Sequence, residues 1–293
     1  MESLKVLAFY KFANIDNPRV YSAKLQRWCR NNGLKGRILV GKEGINGGVS
    51  GVVEQTEAFK EHLRSDSRFS DIVFKEDDCL SVPFARMNVK VKEEIVRLGV
   101  KVDLSNTGDY LKPKEFLNIC ESGDENVVLL DTRNEYEWRV GKFKNAVTMP
   151  MKTFRDFPAI VEKLKDKKDK KIVMYCTGGI RCEKASAYMK EQGFKDVAQL
   201  EGGILNFCKE LPDTAWEGTC FVFDKRLVTH VNSSKQGITS CESCGVACDL
   251  YKNCRKVDCD RYVVLCLDCD NRFAGCCSEK CCEEWKALRV CVI

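Results

Sequence analysis

The chain has 293 residues, enough for two or three domains, each with its own core. Its composition, 44% apolar and 31% charged, is that of an ordinary water-soluble protein, and no apolar run approaches the ~20 residues that span a bilayer. A net charge of +5 is too small to argue nucleic-acid binding by itself. The opening Met-Glu-Ser-Leu-Lys lacks the basic, apolar, small-residue order of a secretion signal, so the expected compartment is the cytoplasm. Nineteen cysteines suggest a disulfide scaffold, but seven are scattered over the first 240 residues and twelve crowd between Cys241 and Cys291. Without a secretion signal, such a terminal cluster points to metal binding.

Leu4 to Tyr10 reads as a strand, and Asn17-Pro18 introduces an amphipathic helix with Val20, Leu25, Trp28 and Cys29 as its buried stripe, ended by Asn32-Gly33. Lys35 to Gly41 and Ile45 to Gly51 are short strands around the glycine-rich turn Lys42-Glu43-Gly44. A helix over Glu54 to Arg64 and a strand over Asp71 to Lys75 complete the order βαββαβ, which predicts an α+β, ferredoxin-like or acylphosphatase-like domain over residues 1–100. The ordinary role of the hairpin glycines is a tight turn. The functional alternative is that Lys42 approaches a polyanion, with Arg86, Lys90, Lys92 and Arg97 continuing a basic face.

Residues 101–117 read as a linker, with a helix restarting at Lys112-Pro113. From 118 to 217, continuous apolar strands (Val127 to Leu130, Ile172 to Tyr175, Val197 to Leu200) alternate with helices, which predicts a parallel α/β sheet covered on both faces. In such sheets ligands sit at the carboxyl ends of the strands, which places Asp131, Arg133 and Cys176 on one rim. Cys176-Thr177-Gly178-Gly179-Ile180-Arg181 lies between the strand ending at Tyr175 and a helix over Glu183 to Gln192. Glycines let successive N–H groups turn inward, the helix N-terminus adds partial positive charge, and Arg181 contributes a permanent cation. A thiol there ionises below the ~8.5 of a free cysteine, and the thiolate is the nucleophile. Cys176 is the candidate nucleophile, Cys182 a candidate resolving or sulfur-accepting thiol, and Asp131, Arg133 and Lys42 further anion-binding candidates. The competing reading of any single cysteine at a strand end is a small core residue. Cys-x4-Arg with two glycines is shared in outline by rhodanese-type sulfurtransferases and by phosphatases with a cysteine nucleophile.

Lys163 to Lys171 holds six lysines and two aspartates ahead of the cysteine strand. A solvated helix end is the ordinary role of such a run, and contact with RNA phosphates is the alternative. In residues 218–293, Cys241/Cys244, Cys254/Cys259, Cys266/Cys269 and Cys277/Cys281 form four close pairs that can build two all-sulfur zinc tetrahedra. Joining first with third and second with fourth makes a cross-braced module, and first with second is equally open. An iron–sulfur centre or free thiols are the other readings. A terminal helix is expected over Glu279 to Leu288.

Asp131-x-Arg133-x3-Glu137, the segment Gly141 to Ala146, the cysteine loop and Glu201-Gly202-Gly203-Ile204 together resemble a rhodanese domain. More narrowly, Tyr10-Lys-Phe, Gly41-Lys-Glu-Gly-Ile-Asn-Gly47, Tyr175 to Ser186 and Cys220-Phe-Val-Phe-Asp224 resemble the tRNA uridine hydroxylase family over nearly the whole chain. That resemblance implies an acylphosphatase-like domain, a rhodanese domain and a cysteine-rich tail. It implies oxygen-dependent 5-hydroxylation of the wobble uridine, position 34, of tRNA, with Cys176 as the essential cysteine. Oxygen chemistry commonly uses a flavin or a redox metal. The chain has no dinucleotide fingerprint and only His62 and His230 for a two-histidine iron site, so a cysteine sulfenate or persulfide is the hypothesised carrier of the oxidising equivalent. Two other classes compete: a sulfurtransferase, supported by the loop and Cys182, and a noncatalytic RNA or protein adaptor, opposed by the intact nucleophile.

Overall fold

The computed structural model describes residues 3–233, 238–259 and 261–290. The N-terminal domain contains β1 (Leu4–Phe12), α1 (Pro18–Asn31), β2 (Lys35–Gly41), β3 (Gly44–Val52), α2 (Val53–Arg64), β4 (Phe74–Cys79) and β5 (Met87–Val91). Its sheet runs β4-β1-β3-β2-β5, antiparallel except that β5 adds parallel to β2. The predicted βαββαβ order is present, with β5 as an extra edge strand. Helix α1 buries Ser22, Leu25 and Cys29, a spacing that keeps them on one helical face. Val20 is out of phase with that stripe and is 48% exposed, so the expectation that it is buried is corrected. The strand expected from Asp71 begins at Phe74, because Asp71 instead pairs with Lys11 after a 3-10 turn.

Strand alternation sends Leu7 and Phe9 of β1 into a core with Leu25, Phe59 and Leu63. Phe9 stands opposite Phe74, and Ala8 opposite Lys75. Tyr10 and Lys75 therefore emerge on the sheet face away from the helices, toward the central domain.

The central domain has β6 (Asp109–Leu111), α3 (Pro113–Ser122), β7 (Val127–Asp131), α4 (Glu135–Trp138), β8 (Gly141–Phe143), α5 (Phe157–Lys163), β9 (Lys171–Tyr175), α6 (Ile180–Glu191), β10 (Asp196–Leu200) and α7 (Gly203–Glu210). Its parallel sheet runs β6-β10-β9-β7, with separate apolar cores on its two faces. Residues 101–117 are not a free linker. Val102 packs against the central core, β6 joins the edge of the sheet, and α3 begins within the segment. The lysine run lies where β9 begins, and its Lys165, Lys167 and Lys171 bridge Glu162, Asp166 and Asp196. A five-residue strand, about 16 Å at ~3.3 Å per residue, separates that end from Cys176.

Strand β11 (Trp216–Gly218) pairs with β8, and β12 (Cys220–Phe221) with β13 (Val228–Thr229). The cysteine-rich module follows with β14 (Tyr251–Asn253), β15 (Tyr262–Val264), α8 (Leu267–Arg272) and α9 (Glu279–Val290). It docks on the central domain through stacked aromatics, with the rings of Tyr136 and Tyr262 4.8 Å apart and Phe221 edge-on to Tyr251. No described helix is long and apolar enough to cross a membrane.

Candidate active site

Strand β9 delivers Cys176 to the floor of a cavity of about 1580 Å³ between the N-terminal and central domains. Cys176, Thr177, Gly178, Ile180 and Arg181 line it from one side, and Tyr10 and Lys75 from the other. The loop turns sharply at Gly179, whose φ of +99° suits glycine and where a β-carbon would lie 2.9 Å from the Tyr10 hydroxyl. This turn aims the Gly179 N–H at the Cys176 sulfur, 3.1 Å away. The loop is pinned from behind, since the Cys176 and Thr177 carbonyls accept from the amides of Ile204 and Leu205.

Cys176 is fully buried, with the apolar core behind it and loop amides in front. Burial by itself raises the thiol pKa. A hydrogen bond from Cys182, the Arg181 guanidinium and the amides of Arg181 and Cys182 outweigh that effect and bring it down to about 5. Cys182 moves the opposite way, well above the usual thiol range, because burial and the neighbouring Cys176 anion both disfavour a second charge. Its sulfur also lies 3.6 Å from the Thr132 hydroxyl. One buried thiolate beside one neutral thiol is the resulting pair.

Arg181 is buried rather than turned to solvent, and its two terminal nitrogens donate to Glu137 at 2.5 and 2.7 Å. The Thr177 hydroxyl donates to the same carboxylate at 3.3 Å. Glu137 thus fixes the orientation of the loop cation, a role that the sequence pattern did not assign.

Asp131 and Arg133 follow β7 on the same rim, but both are fully buried and bonded to each other at 2.6 Å. The Arg133 guanidinium also donates to the Gly141 carbonyl at 2.6 Å and sits over the Trp216 ring. Neither residue lines the cavity, so their expected anion-binding role is corrected to one of holding the rim together. Lys42 is exposed at the β2–β3 turn and is not among the cavity residues. Its neighbour Glu43 carries the contact instead, accepting from the Ile95 amide at 2.7 Å and from Lys184 of α6 at 2.9 Å. Lys184 also bridges Glu94 at 2.8 Å. One residue earlier, Glu183 accepts from Tyr10 and Tyr110 at 2.9 and 2.6 Å. The helix behind the cysteine loop is therefore clasped by the N-terminal domain. Sequence reading missed Tyr10, Lys75 and Glu183 as site residues. The quoted motifs held Tyr10 and Glu183, but only strand pairing reveals Lys75.

In the C-terminal module, Cys241, Cys244, Cys266 and Cys269 form one set and Cys254, Cys259, Cys277 and Cys281 another, each with all sulfurs within 4.8 Å of one another. Separations of 3.6 Å between Cys244 and Cys266 and 3.7 Å between Cys259 and Cys277 approach the ~3.8 Å edge of a tetrahedron built on ~2.3 Å metal–sulfur bonds. The donor set fits a structural metal, and of the two open pairings the structure adopts first with third. His62 stacks on Trp28 with ring centres 4.0 Å apart, while His230 lies beyond β13.

Three family models match the chain: a UPF0176 acylphosphatase-like domain over residues 4–95, a rhodanese-like domain over 112–210 and a rhodanase C-terminal region over 217–282. A tRNA uridine(34) hydroxylase of Staphylococcus carnosus is 41% identical over 288 residues, covering 96% of this chain and 90% of its own. One of the same name from Cytophaga hutchinsonii is 42% identical with the same two coverages. Among solved structures, a rhodanese-like domain from Anabaena sp. aligns with 38% of this chain and 80% of its own at 20% identity and a TM-score of 0.32. Identity at this level across all three regions means that the chain belongs to the tRNA uridine(34) hydroxylase family.

Proposed function

We propose that this protein is an oxidoreductase that hydroxylates C5 of the wobble uridine, position 34, of tRNA in the cytoplasm, with molecular oxygen as cosubstrate. The observation that carries this reading is the full-length match to relatives of that name, together with a buried, ionised Cys176 in a cavity formed between two of the matched domains. Inserting one oxygen atom into the C5–H bond sends the other to water, with two electrons and two protons from a donor. Cys176 is the nucleophile of this site, Arg181 and the amides of Thr177, Gly178, Gly179 and Ile180 stabilise negative charge in it, and the neutral Cys182 is positioned to give a proton or resolve an oxidised sulfur. The two cysteine sets hold zinc, which supplies folding energy to a small module and takes no part at the cavity.

A sulfurtransferase is the second reading, favoured by the rhodanese-like match and by a thiolate suited to carry a persulfide. Incubating purified protein with unmodified tRNA and a reductant under isotopically heavy oxygen separates the two. The hydroxylase reading predicts 5-hydroxyuridine carrying the heavy atom. Unlabelled tRNA, together with one added sulfur on Cys176 after thiosulfate treatment, would favour the sulfurtransferase.

A further inference from the structure

We propose that Lys75, supplied by the N-terminal domain, is a substrate-binding residue of the Cys176 site, its ammonium holding a charged or polarised oxygen of the target nucleotide over the thiolate loop. The inference rests on the hydroxylase reading and adds a residue on the opposite wall of the cavity.

The register Ala8 to Lys75 places the side chain on the sheet face turned toward the loop. Its Cδ and Cε lie 3.9 Å from the position a β-carbon of Gly178 would occupy. Its ammonium sits 5.1 Å from the centre of the Tyr10 ring, an arrangement that steers the chain without neutralising it. Of the other lysines bordering the cavity, Lys5 pairs with Glu76 and Lys11 with Asp71, while Lys112 and Lys209 border it from the central domain and not from the wall facing the loop. Lys75 has no carboxylate at ion-pair distance among the described residues. Arg181, on the loop side, is held by Glu137 through both of its terminal nitrogens, so much of its charge is answered within the central domain and Lys75 is the cation that the opposite wall adds. A half-buried cation with no carboxylate at ion-pair distance carries a desolvation cost that the nearby Cys176 and Glu183 charges offset in part, and a ligand that brings negative charge offsets more of it.

Three groups face this ammonium: Tyr10 from β1, Cys176 from the loop and Glu183 from α6, the last accepting from Tyr10 and Tyr110. Burial lowers the Lys75 pKa, the Cys176 and Glu183 charges oppose the fall, and the balance is about 8. Cys176 is ionised from about 5 upward, so the site pairs thiolate with ammonium between those limits and loses the cation above about 8.

The test uses the full chain and the pH dependence of kcat/KM for tRNA. Wild-type efficiency should fall as pH rises through about 8. Lys75→Met should lose about 10- to 100-fold at pH 7, the range of a hydrogen bond to a charged group, and should lack that alkaline limb. Lys75→Arg should restore most of the efficiency and move the limb beyond the measurable range. A phosphodiester ligand would also make the salt dependence shallower by about one unit of slope in Lys75→Met, whereas a uracil carbonyl would leave the slope intact and lower kcat. Wild-type efficiency or an unchanged limb in Lys75→Met overturns the proposal, and if that variant fails to fold, an unmoved limb in Lys75→Arg does so. A tRNA-independent probe keeps the two readings separate: Lys75→Met should lower the rate at which anionic iodoacetate alkylates Cys176 relative to neutral iodoacetamide. An unchanged ratio counts against Lys75 whatever the protein does to tRNA, while a wild type that forms no 5-hydroxyuridine but shows the ratio change sinks only the hydroxylase reading.

Discussion

Glu137 and Arg181 form an ion pair enclosed by protein, and removing one charge leaves the other unpaired in the interior. Glu137→Gln should therefore destabilise the protein by about 3–5 kcal/mol in denaturant unfolding, the usual cost of breaking a buried pair from one side. A loss below about 1 kcal/mol would mean that the guanidinium finds water or another partner. The Cys176 thiolate is stabilised by groups that its own loop supplies within six residues, so its ionisation was readable from Cys, Gly-Gly and Arg, whereas the hydrogen bond from Cys182, first among those groups, was not. Asp131 and Arg133 show the opposite case. Their position at a strand end was readable, but the turn after β7 folds each side chain onto the other, and the Gly141 carbonyl and Trp216 that complete the enclosure come from distant sequence.

At the scale of elements, the alternation of β1 and β4 decides which residues reach the cavity. A hydrophobic pattern predicts strands, but it does not say that Ala8 faces Lys75 or which domain covers the free face of the sheet. That is why the N-terminal half of the site was illegible, although the element order of its domain was correct. The cysteine module repeats the lesson, since spacing allowed sequential or crossed pairing and only the fold brings Cys241 and Cys244 to Cys266 and Cys269. Crossing ties both cysteine sets to the β14–β15 hairpin between them. Protein purified without chelators should carry about two zinc ions per chain. Cys254→Ser should lose the ion of its own set and loosen the packing of Tyr251 and Tyr262 against Phe221, read as increased amide exchange there. Less than one metal ion per chain in the wild type would leave the two sets as reduced thiols.

Across the whole molecule, the three regions serve one cavity. The central domain supplies the thiolate loop, and the N-terminal sheet supplies Tyr10, Lys75 and the Glu43 clasp on α6. The segment after β12 reaches the same space, where Phe223 stands 5.7 Å from the Arg181 guanidinium and Arg226 bridges Asp77 of β4. The lysine run between α5 and β9 lies at the far end of the central sheet, with its neighbouring acids as partners. On the proposed function, Cys176 is the residue on which the chemistry in that cavity depends. The most direct measurement is mass spectrometry of tRNA nucleosides from cells that lack this protein, complemented with wild type or with Cys176→Ser. The account predicts that 5-hydroxyuridine and its derivatives return with the wild type and stay absent with the serine variant. Their return with Cys176→Ser, at wild-type abundance, would contradict it.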